Sequence, residues 1–325
     1  MKSQKKMADP GEVIPDRGLH LLAISLVAMT LLLVVAGALV TSNEAGDSVP
    51  DWPLSFGRWL IQSNHFVANV RYEYSHRVIA ATVGLITAIL AIRAWTRERR
   101  PLIRRLALIA FAGVLTQALL GGVRVLFPAS KPIIAVIHAL VAQSFFGLVV
   151  TLILLTSADW WKPKPSKEDA RFPSTRRLAV ITLCAVLMQL ILGAGFRHGA
   201  FGITPHVAGA LVVSSLVIWT ALIILHRYGW DAYLRRPALA MLMLLSCQVG
   251  LGVLAYEARL KSNLSSQPLE PMVSLTVAHV IIGALTLASV VVLTLRCWRA
   301  LSPSRGRMGQ TQSSFTTSGK MIAQL

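Results

Sequence analysis

Charged residues are scarce in this sequence, and acidic residues are the scarcer kind. Only 14% of the 325 residues are charged, with 14 Asp and Glu against 32 Lys and Arg. A soluble domain carries roughly a quarter charged residues, so this composition excludes an ordinary soluble protein. Hydrophobic residues make up 54% of the chain and the mean hydropathy is +0.62, which indicates a protein surrounded largely by lipid.

Cysteine is also scarce, with only Cys184, Cys247 and Cys297 in the chain. The odd number, and positions in or beside apolar segments, argue against a structural disulfide in an outer compartment. No thiol set or short His-x-His spacing is present, which makes a zinc site a poor interpretation. We expect the three thiols to behave as small hydrophobic groups.

Long apolar segments are abundant. Eight of them are long enough to cross a hydrocarbon core about 30 Å thick as helices, and far too long for strands. The predicted spans are 19–41, 74–95, 102–126, 133–156, 176–196, 204–226, 237–257 and 272–296. The first is too long for the core of a signal peptide, so we interpret it as a retained helix. The predicted fold is an all-α polytopic membrane protein.

The basic residues predict the orientation. Twenty-four of the 32 Lys and Arg fall on the side that carries both termini, and eight on the other side. By the positive-inside rule both termini are cytoplasmic, in a multi-pass protein of the cell inner membrane. The net charge of +18 then reflects the orientation in the membrane and favours contact with anionic lipid. Nucleic acid is not expected as a partner.

Four histidines stand near the start of the even-numbered spans, and each is followed four residues later by a small residue. The histidines are His76, His138, His206 and His279; the small residues are Ala80, Ala142, Ala210 and Gly283. Positions i and i+4 are stacked one helical turn apart, so each imidazole stands above a notch that suits a flat macrocycle. The pattern predicts two bis-histidine haem sites in one outer layer. A histidine that only hydrogen-bonds a neighbouring helix is the alternative for any one of them.

A recurring motif divides the chain into two halves. Gln117–Gly121, Gln189–Gly193 and Gln248–Gly252 share the pattern Gln-x-x-Leu-Gly, and the first span has a weaker version ending Val35-Ala-Gly37. We therefore predict two pseudo-repeated four-helix bundles. The predicted divisions are a disordered cytoplasmic N-terminus 1–16, a first half 17–160, a linker 161–175, a second half 176–300 and a disordered tail 301–325.

Several motifs resemble the haem A synthase family. Tyr72-Glu-Tyr-Ser-His76-Arg77 looks like its Glu-x-x-His-Arg signature, and Val49-Pro-Asp-Trp-Pro53 looks like its first-loop motif. Gln189 to Gly193, followed by Phe196-Arg-His198 and Thr204-Pro-His206, resembles the corresponding turn in the second half. The similarity runs from about residue 20 to 297. Many members carry a cysteine pair after the Trp-Pro, whereas Leu54-Ser55 follows here, so a thiol-assisted electron route is not carried over.

The resemblance implies an oxidoreductase that converts the C8 methyl of haem O to the formyl group of haem A for cytochrome oxidase. His206 and His279 would hold a permanent haem b in the second half, and His76 and His138 would receive haem O in the first. Glu73 would be catalytic together with His76 and His138. Glu73 lies three residues before His76 on the same helix face, although a carboxylate paired with Arg77 or Arg71 is the alternative.

Three arginines of the outer layer, Arg77, Arg124 and Arg197, are candidates to bind haem propionates, because a guanidinium pairs well with a carboxylate. Phospholipid headgroup contact is the alternative for each. The expected partners are the haem O synthase that supplies the substrate, membrane lipid, an unidentified electron acceptor and, optionally, a second copy of the chain.

Two other functions stay open at the level of sequence. A dihaem b-type electron-transfer cytochrome would use the same four histidines without substrate chemistry and would not need Glu73. A small-solute transporter would explain the repeat but not the layer of histidines.

Overall fold

The fold consists of eight long helices, and the longest described connection between them is the loop of residues 43–69. The computed structural model describes residues 16–127, 131–262, 264 and 268–303. The long helices are α1 (Arg17–Ser42), α2 (Val70–Arg97), α3 (Pro101–Leu126), α4 (Lys131–Thr156), α6 (Thr175–Arg197), α7 (Thr204–Tyr228), α8 (Ala232–Ser262) and α9 (Glu270–Ala300); α5 (Ala158–Trp161) is a single turn. All eight are long and apolar enough to cross a membrane. The prediction of eight spans in an all-α membrane protein is confirmed.

Each helix satisfies its own backbone, which lipid requires. Buried hydroxyls in the spans do the same by donating to the carbonyl one turn earlier, as Thr30 does to Leu26 and Thr87 to Val83. Asp16 caps α1 by accepting from the N–H groups of Gly18 and Leu19. Asp16 is therefore ordered as the N-cap of α1, whereas the sequence analysis predicts residues 1–16 to be disordered.

The helices pack as two sets of four. In the first set α1 contacts α2 and α4, and α3 contacts α2 and α4; in the second, α6 contacts α7 and α9, and α8 contacts α7 and α9. One apolar cluster fills the first set, and a second fills the other set with Phe146 and Val150 of α4 added to it. Contacts of α1 and α4 with α9, and of α4 with α6, join the sets. The sequence repeat itself stays a prediction.

Because α1 to α4 and α6 to α9 alternate in direction, α2, α4, α7 and α9 all begin on one side of the layer. We call this the histidine side, and the side of Asp16 and Pro303 the terminal side. On the terminal side, β1 (Lys167–Asp169) and β2 (Leu301–Pro303) form a parallel pair. Residues 301–303 thus form a strand where the sequence predicts a disordered tail, because the linker supplies hydrogen-bond partners. Residues 1–15 and 304–325, also predicted to be disordered, lie outside the described residues.

Asp169 ties the linker to the start of α6. Its carboxylate is buried and accepts from the N–H groups of Thr175 and Arg176 and from the Ser174 hydroxyl. Burial raises the pKa of this carboxyl, but these donors outweigh the effect and hold the pKa below its ordinary value. The linker is therefore anchored to the second set of helices.

Candidate functional site

The four predicted histidines lie on the histidine side, and each packs against a glycine of the preceding long helix. The pairs are His76 with Gly37, His138 with Gly121, His206 with Gly193 and His279 with Gly252. Three of these glycines are those of the Gln-x-x-Leu-Gly motif, and Gly37 belongs to its weaker version in α1. The repeated motif thus supplies a flat backbone surface for each imidazole.

The glycines determine how the rings are oriented. A Cβ placed at Gly193 or Gly252 would lie 3.0 Å from Cε1 of its histidine but 3.9 Å from Nε2. The edge that carries Cε1 and Nδ1 therefore faces the neighbouring helix, and Nε2 is the nitrogen farther from it. A larger residue would push the ring, because 3.0 Å is shorter than ordinary van der Waals contact.

The rings of His206 and His279 approach each other. Their centroids are 6.3 Å apart and the ring planes are nearly perpendicular, at 81°. At this separation both imidazoles would reach one metal ion, so His206 and His279 are the residues that would hold a haem iron in the second set. In the first set, His76 and His138 lie near the starts of α2 and α4, on the same side of the protein.

Iron in a porphyrin needs only two protein ligands. Across the described parts of the chain, no group of three or more His, Cys, Asp and Glu side chains is arranged to hold a metal ion. Paired imidazoles are the arrangement that these residues do provide.

The motif glutamines contact the same histidines. Gln117 Nε2 donates to the backbone oxygen of His138 at 2.9 Å, and Gln189 Nε2 donates to that of His206 at 2.8 Å. Gln248 Nε2 lies 3.2 Å from Nε2 of His279, whose Nδ1 lies 3.1 Å from the Gln248 carbonyl oxygen. The sequence analysis found the recurring glutamine but assigned it no role, and the recurrence itself was the available signal.

A glutamine also occupies one of the predicted notches. A Cβ at Gly283 would lie 3.2 Å from Gln248 Nε2. At Gly209, next to Ala210, a Cβ would collide with the Gln189 amide. In the second set the small residues therefore make room for glutamine amides of the neighbouring helix, whereas the sequence interpretation placed only a macrocycle there.

Glu73 is buried, and both of its carboxylate oxygens accept hydrogen bonds. Its Oε1 accepts from Arg77 Nη2 at 2.6 Å, and its Oε2 accepts from the Ser48 hydroxyl and the Val49 N–H at 3.1 Å each. The side chain is therefore held in one position beside His76, between the helix and the first loop. The pairing with Arg77 is the one given above as the alternative to a catalytic role, and the two roles are compatible.

Arg77 holds the loop that follows α1. Besides Glu73, its guanidinium donates to the carbonyl oxygens of Val49 at 3.0 Å, Asp51 at 2.7 Å and Leu54 at 2.9 Å. These contacts use both terminal nitrogens. Of the three arginines predicted to bind propionates, Arg77 thus donates to three backbone carbonyl oxygens of the first loop.

The first-loop motif packs down on the helices. The Trp52 ring lies against Gly122 of α3, where a Cβ would be 2.6 Å from the ring. Asp51 accepts from the N–H groups of Phe56 and Gly57, both at 2.7 Å. Gly121 and Gly122 thus receive His138 and Trp52 side by side, and the loop covers the first set of helices on the histidine side.

Arg124 and Arg197 lie close to the outer end of α1. The Arg124 guanidinium packs against Gly46, and its Nε is buried without a hydrogen bond to any described residue. Arg197 donates to the carbonyl oxygen of Ala38 at 3.2 Å and to the Ser42 hydroxyl at 2.7 Å, and so links α6 to α1. Burial, followed by the charges of Arg197 and Arg124, lowers the pKa of the adjacent His198 to about 4, so this ring is neutral at physiological pH.

Comparison with known proteins agrees with this geometry. The profile of the COX15-CtaA family, described as cytochrome oxidase assembly protein, matches residues 20–204, more than half of the chain. The chain belongs to this family. The match includes Glu73, His76 and His138 and ends just before His206.

Curated relatives carry the name heme A synthase. The protein of Shouchella clausii is 31% identical over 186 residues, which are 56% of this chain and 60% of the relative. That of Alkalihalophilus pseudofirmus is 36% identical over 172 residues, 52% of this chain and 56% of the relative. That of Halalkalibacterium halodurans is 34% identical over 140 residues, which are 42% of this chain and 44% of the relative. The matched part of the chain thus spans at most about 60% of these relatives.

Proposed function

We propose that this protein is a haem A synthase, which oxidises the C8 methyl of haem O to a formyl group for cytochrome oxidase. The observation that carries the proposal is the layer of paired histidines, above all His206 and His279 at a centroid separation of 6.3 Å, in a chain of the cytochrome oxidase assembly family. The relatives named heme A synthase support the reaction.

The two histidine pairs have different tasks in this proposal. His206 and His279 hold a permanent haem b, and His76 and His138 hold the substrate haem O. The bound haem supplies an iron that accepts two imidazoles and can exchange electrons. The protein positions the rings through the glycines, and in His206 and His279 Nε2 is the nitrogen farther from the glycine of the neighbouring helix.

Glu73 is proposed to act beside the substrate methyl. Conversion of a methyl to a formyl group consumes one water and releases four electrons and four protons, so a base, a water position and an electron acceptor are all required. The Glu73 carboxylate is held by Arg77, Ser48 and the Val49 N–H, and a preorganised carboxylate of this kind can orient a water or stabilise positive charge that develops nearby.

The arginines and the first loop complete the site. Arg124 and Arg197 are proposed to bind haem propionates, because both are cationic and lie near the histidines, and the Arg124 Nε is buried without a hydrogen bond to any described residue. Arg77 is proposed to act mainly by holding the loop, and a propionate would have to compete with three carbonyl oxygens for it. The loop with Trp52 would limit the access of water to the substrate.

We infer that the terminal side faces the cytoplasm, in the cell inner membrane. In the described residues this side carries most of the Lys and Arg, as the sequence pattern of basic residues predicts for the cytoplasmic side. Several of them stack on aromatic rings there, as expected at a membrane interface. The stacked pairs are Arg104 on Trp95, Arg100 on Trp161, Arg299 on Trp160, Lys167 on Trp230 and Arg176 on Trp298. Lipid, the haem O synthase, an electron acceptor and a second copy of the chain are the proposed partners.

A dihaem electron-transfer cytochrome is the second candidate. It is favoured by one observation, namely that the Glu73 carboxylate anchors the first loop by accepting from the Ser48 hydroxyl and the Val49 N–H. Extraction of the bound porphyrins and identification by mass separates the two functions. We expect haem b together with haem O, its hydroxylated intermediates or haem A. Haem b alone, in cells that make haem O, would support the cytochrome and contradict the synthase.

The glycine contacts give a separate prediction. Gly37→Ala places a Cβ 3.2 Å from His76 Cε1 and should displace that ring, whereas Gly121→Ala places one 3.9 Å from His138 Cε1, which is ordinary contact. We expect Gly37→Ala to lower haem binding in the first half roughly tenfold, the scale of disturbing the support of a metal ligand, and Gly121→Ala to have little effect. Haem titration of the two purified variants measures this. Equal affinities would show that the glycines do not position the rings.

A further inference from the structure

Side chains of α6 and α8 meet on the histidine side of the second set of helices. The Phe196 ring of α6 lies 6.1 Å from the Tyr256 ring of α8, and the Arg259 guanidinium carbon lies 4.8 Å from the Phe196 ring centroid. Helices α6 and α8 both pack on α7 and α9, so they stand on one diagonal of this set. The other diagonal joins α7 and α9, which carry His206 and His279. The Phe196 contacts therefore cross the line that joins the two histidines.

These contacts lie closer to the helix ends than the histidines do. Gly193 of α6 and Gly252 of α8 face the two imidazoles. Phe196 follows Gly193 by three residues, and Arg259 follows Gly252 by seven, which is about 4.5 Å and about 10 Å further towards the histidine side. Seven residues are almost two full turns, so Arg259 projects from the same face of α8 as Gly252. The Phe196 contacts thus cover the histidine pair.

Arg259 has no acidic partner among the described residues. It is half-buried, and its contact there is the Phe196 ring, without an ion pair or a hydrogen bond. The acidic residue of the same helix end, Glu257, pairs instead with Lys261 at 3.1 Å. Arg197, which follows Phe196 in the chain, lies near Arg259. Because two guanidinium groups close together repel each other, this place favours a bound anion.

A haem b held by His206 and His279 would bring such an anion. Its propionates are carboxylates, which must point away from hydrocarbon because a charge is costly there. The plane of a haem lies across the line between its two imidazole ligands, and hence along the diagonal of α6 and α8. The propionate edge would then face Arg259 and Arg197, of which Arg197 also lies near His279. A guanidinium can bind a carboxylate through two parallel hydrogen bonds.

We propose that Arg259 binds a propionate of the haem b in the second half, and that its contact with Phe196 holds the guanidinium over this site. This inference rests on the proposed function, in which His206 and His279 hold that haem. It adds a binding residue that lies outside the histidine layer and the Gln-x-x-Leu-Gly motif. The two halves are then closed in different ways, because the loop with Trp52 covers the first half.

The test is a haem titration of the purified full-length protein carrying His138→Ala, which leaves only the second pair to hold haem. Arg259→Gln removes the charge. Lys261→Gln is the matched control, because it removes a cation of the same helix end that is already paired with Glu257. Each protein is titrated with haem b and with the dimethyl ester of haem b, whose propionates carry no charge.

We expect Arg259→Gln to weaken the binding of haem b by about tenfold or more, the scale of one hydrogen bond between charged groups. Binding of the dimethyl ester should not change, since the ester has no carboxylate for the guanidinium. Lys261→Gln should bind both compounds like the parent protein. Arg259→Lys keeps the charge and should lose less affinity for haem b than Arg259→Gln does.

Two results would overturn the inference. Equal weakening for haem b and for its ester would mean that Arg259 acts only by packing on Phe196. An unchanged affinity for haem b in Arg259→Gln would mean that the guanidinium does not bind the propionate. Thermal denaturation of each variant checks folding, so that a loss of affinity is compared only between folded proteins.

Failure of the proposed function would look different. If the His138→Ala protein binds no haem, or if adding His279→Ala changes nothing, the second pair is not a haem site and the inference falls with it. If binding depends on His279 but not on Arg259, only the inference is wrong. Haem affinity is measured without any oxidation of haem O, so the result does not depend on catalytic activity.

Discussion

The Glu73→Gln variant is expected to bind the substrate haem and to convert on the order of 100-fold less of it than the wild type, or even less. Glutamine keeps the size of the side chain and removes its charge. If the carboxylate orients a water or stabilises a cationic transition state, the chemical step loses one preorganised electrostatic group. The measurement is the ratio of haem A to haem O in cells expressing the variant, at matched protein level.

Arg77→Gln is the matched control, because it breaks the same 2.6 Å ion pair and leaves Glu73 in place. It also removes three hydrogen bonds to carbonyl oxygens of the first loop. We expect this variant to bind substrate haem more weakly, since the loop is no longer held, and the bound haem to be converted more readily than in Glu73→Gln. Similar losses of binding and conversion in both variants would mean that Glu73 acts only as a loop anchor.

The two histidine pairs are expected to have separate effects: loss of one pair lowers the retained haem b, and loss of the other stops the conversion of haem O. His206→Ala or His279→Ala should lower the haem b that copurifies with the protein by more than tenfold, because loss of a ligand costs more than loss of its supporting hydrogen bond. His76→Ala or His138→Ala should abolish haem A formation and leave most of that haem b in place. Haem content is measured on the purified protein, and haem A in the membranes.

His226→Ala provides the control for these four variants. His226 lies in α7, like His206, but in the last turn of the helix, on the terminal side. We expect its replacement to change neither haem content nor conversion. If each of the four site variants loses all haem while the His226→Ala protein keeps it, the two halves do not hold separate haems and the proposed division of tasks is contradicted.

The sequence predicts the spans well, and their ends less well. Hydropathy places the seventh span at 237–257, whereas α8 runs over Ala232–Ser262 and contains Pro237 in its interior. Likewise the last helix extends to Ala300, four residues beyond the predicted end. Hydropathy detects only the part of a helix that lies in hydrocarbon, whereas the helix continues into polar flanks as long as its backbone hydrogen bonds are made internally.

The sequence also identifies the histidine layer, because four residues of one type at the starts of alternate spans must lie on one side of the membrane. It does not predict what Glu73 and Arg77 contact. Both are local to α2, but their partners belong to the loop that follows α1. The role of Trp52 is a similar case, since an aromatic residue near an interface gives no indication that it packs on Gly122.

The sequence by itself determined that the protein lies in a membrane, that it has eight long helices, which family it resembles and where the four histidines stand. These features follow from composition, from the length of the apolar segments and from local motifs. The tertiary structure alone decided which side chains meet. It placed each imidazole on a glycine, gave three of the four histidines a glutamine and linked α6 to α1 through Arg197. The physical reason is that such contacts join residues distant in the chain, whose relative positions depend on how whole helices pack.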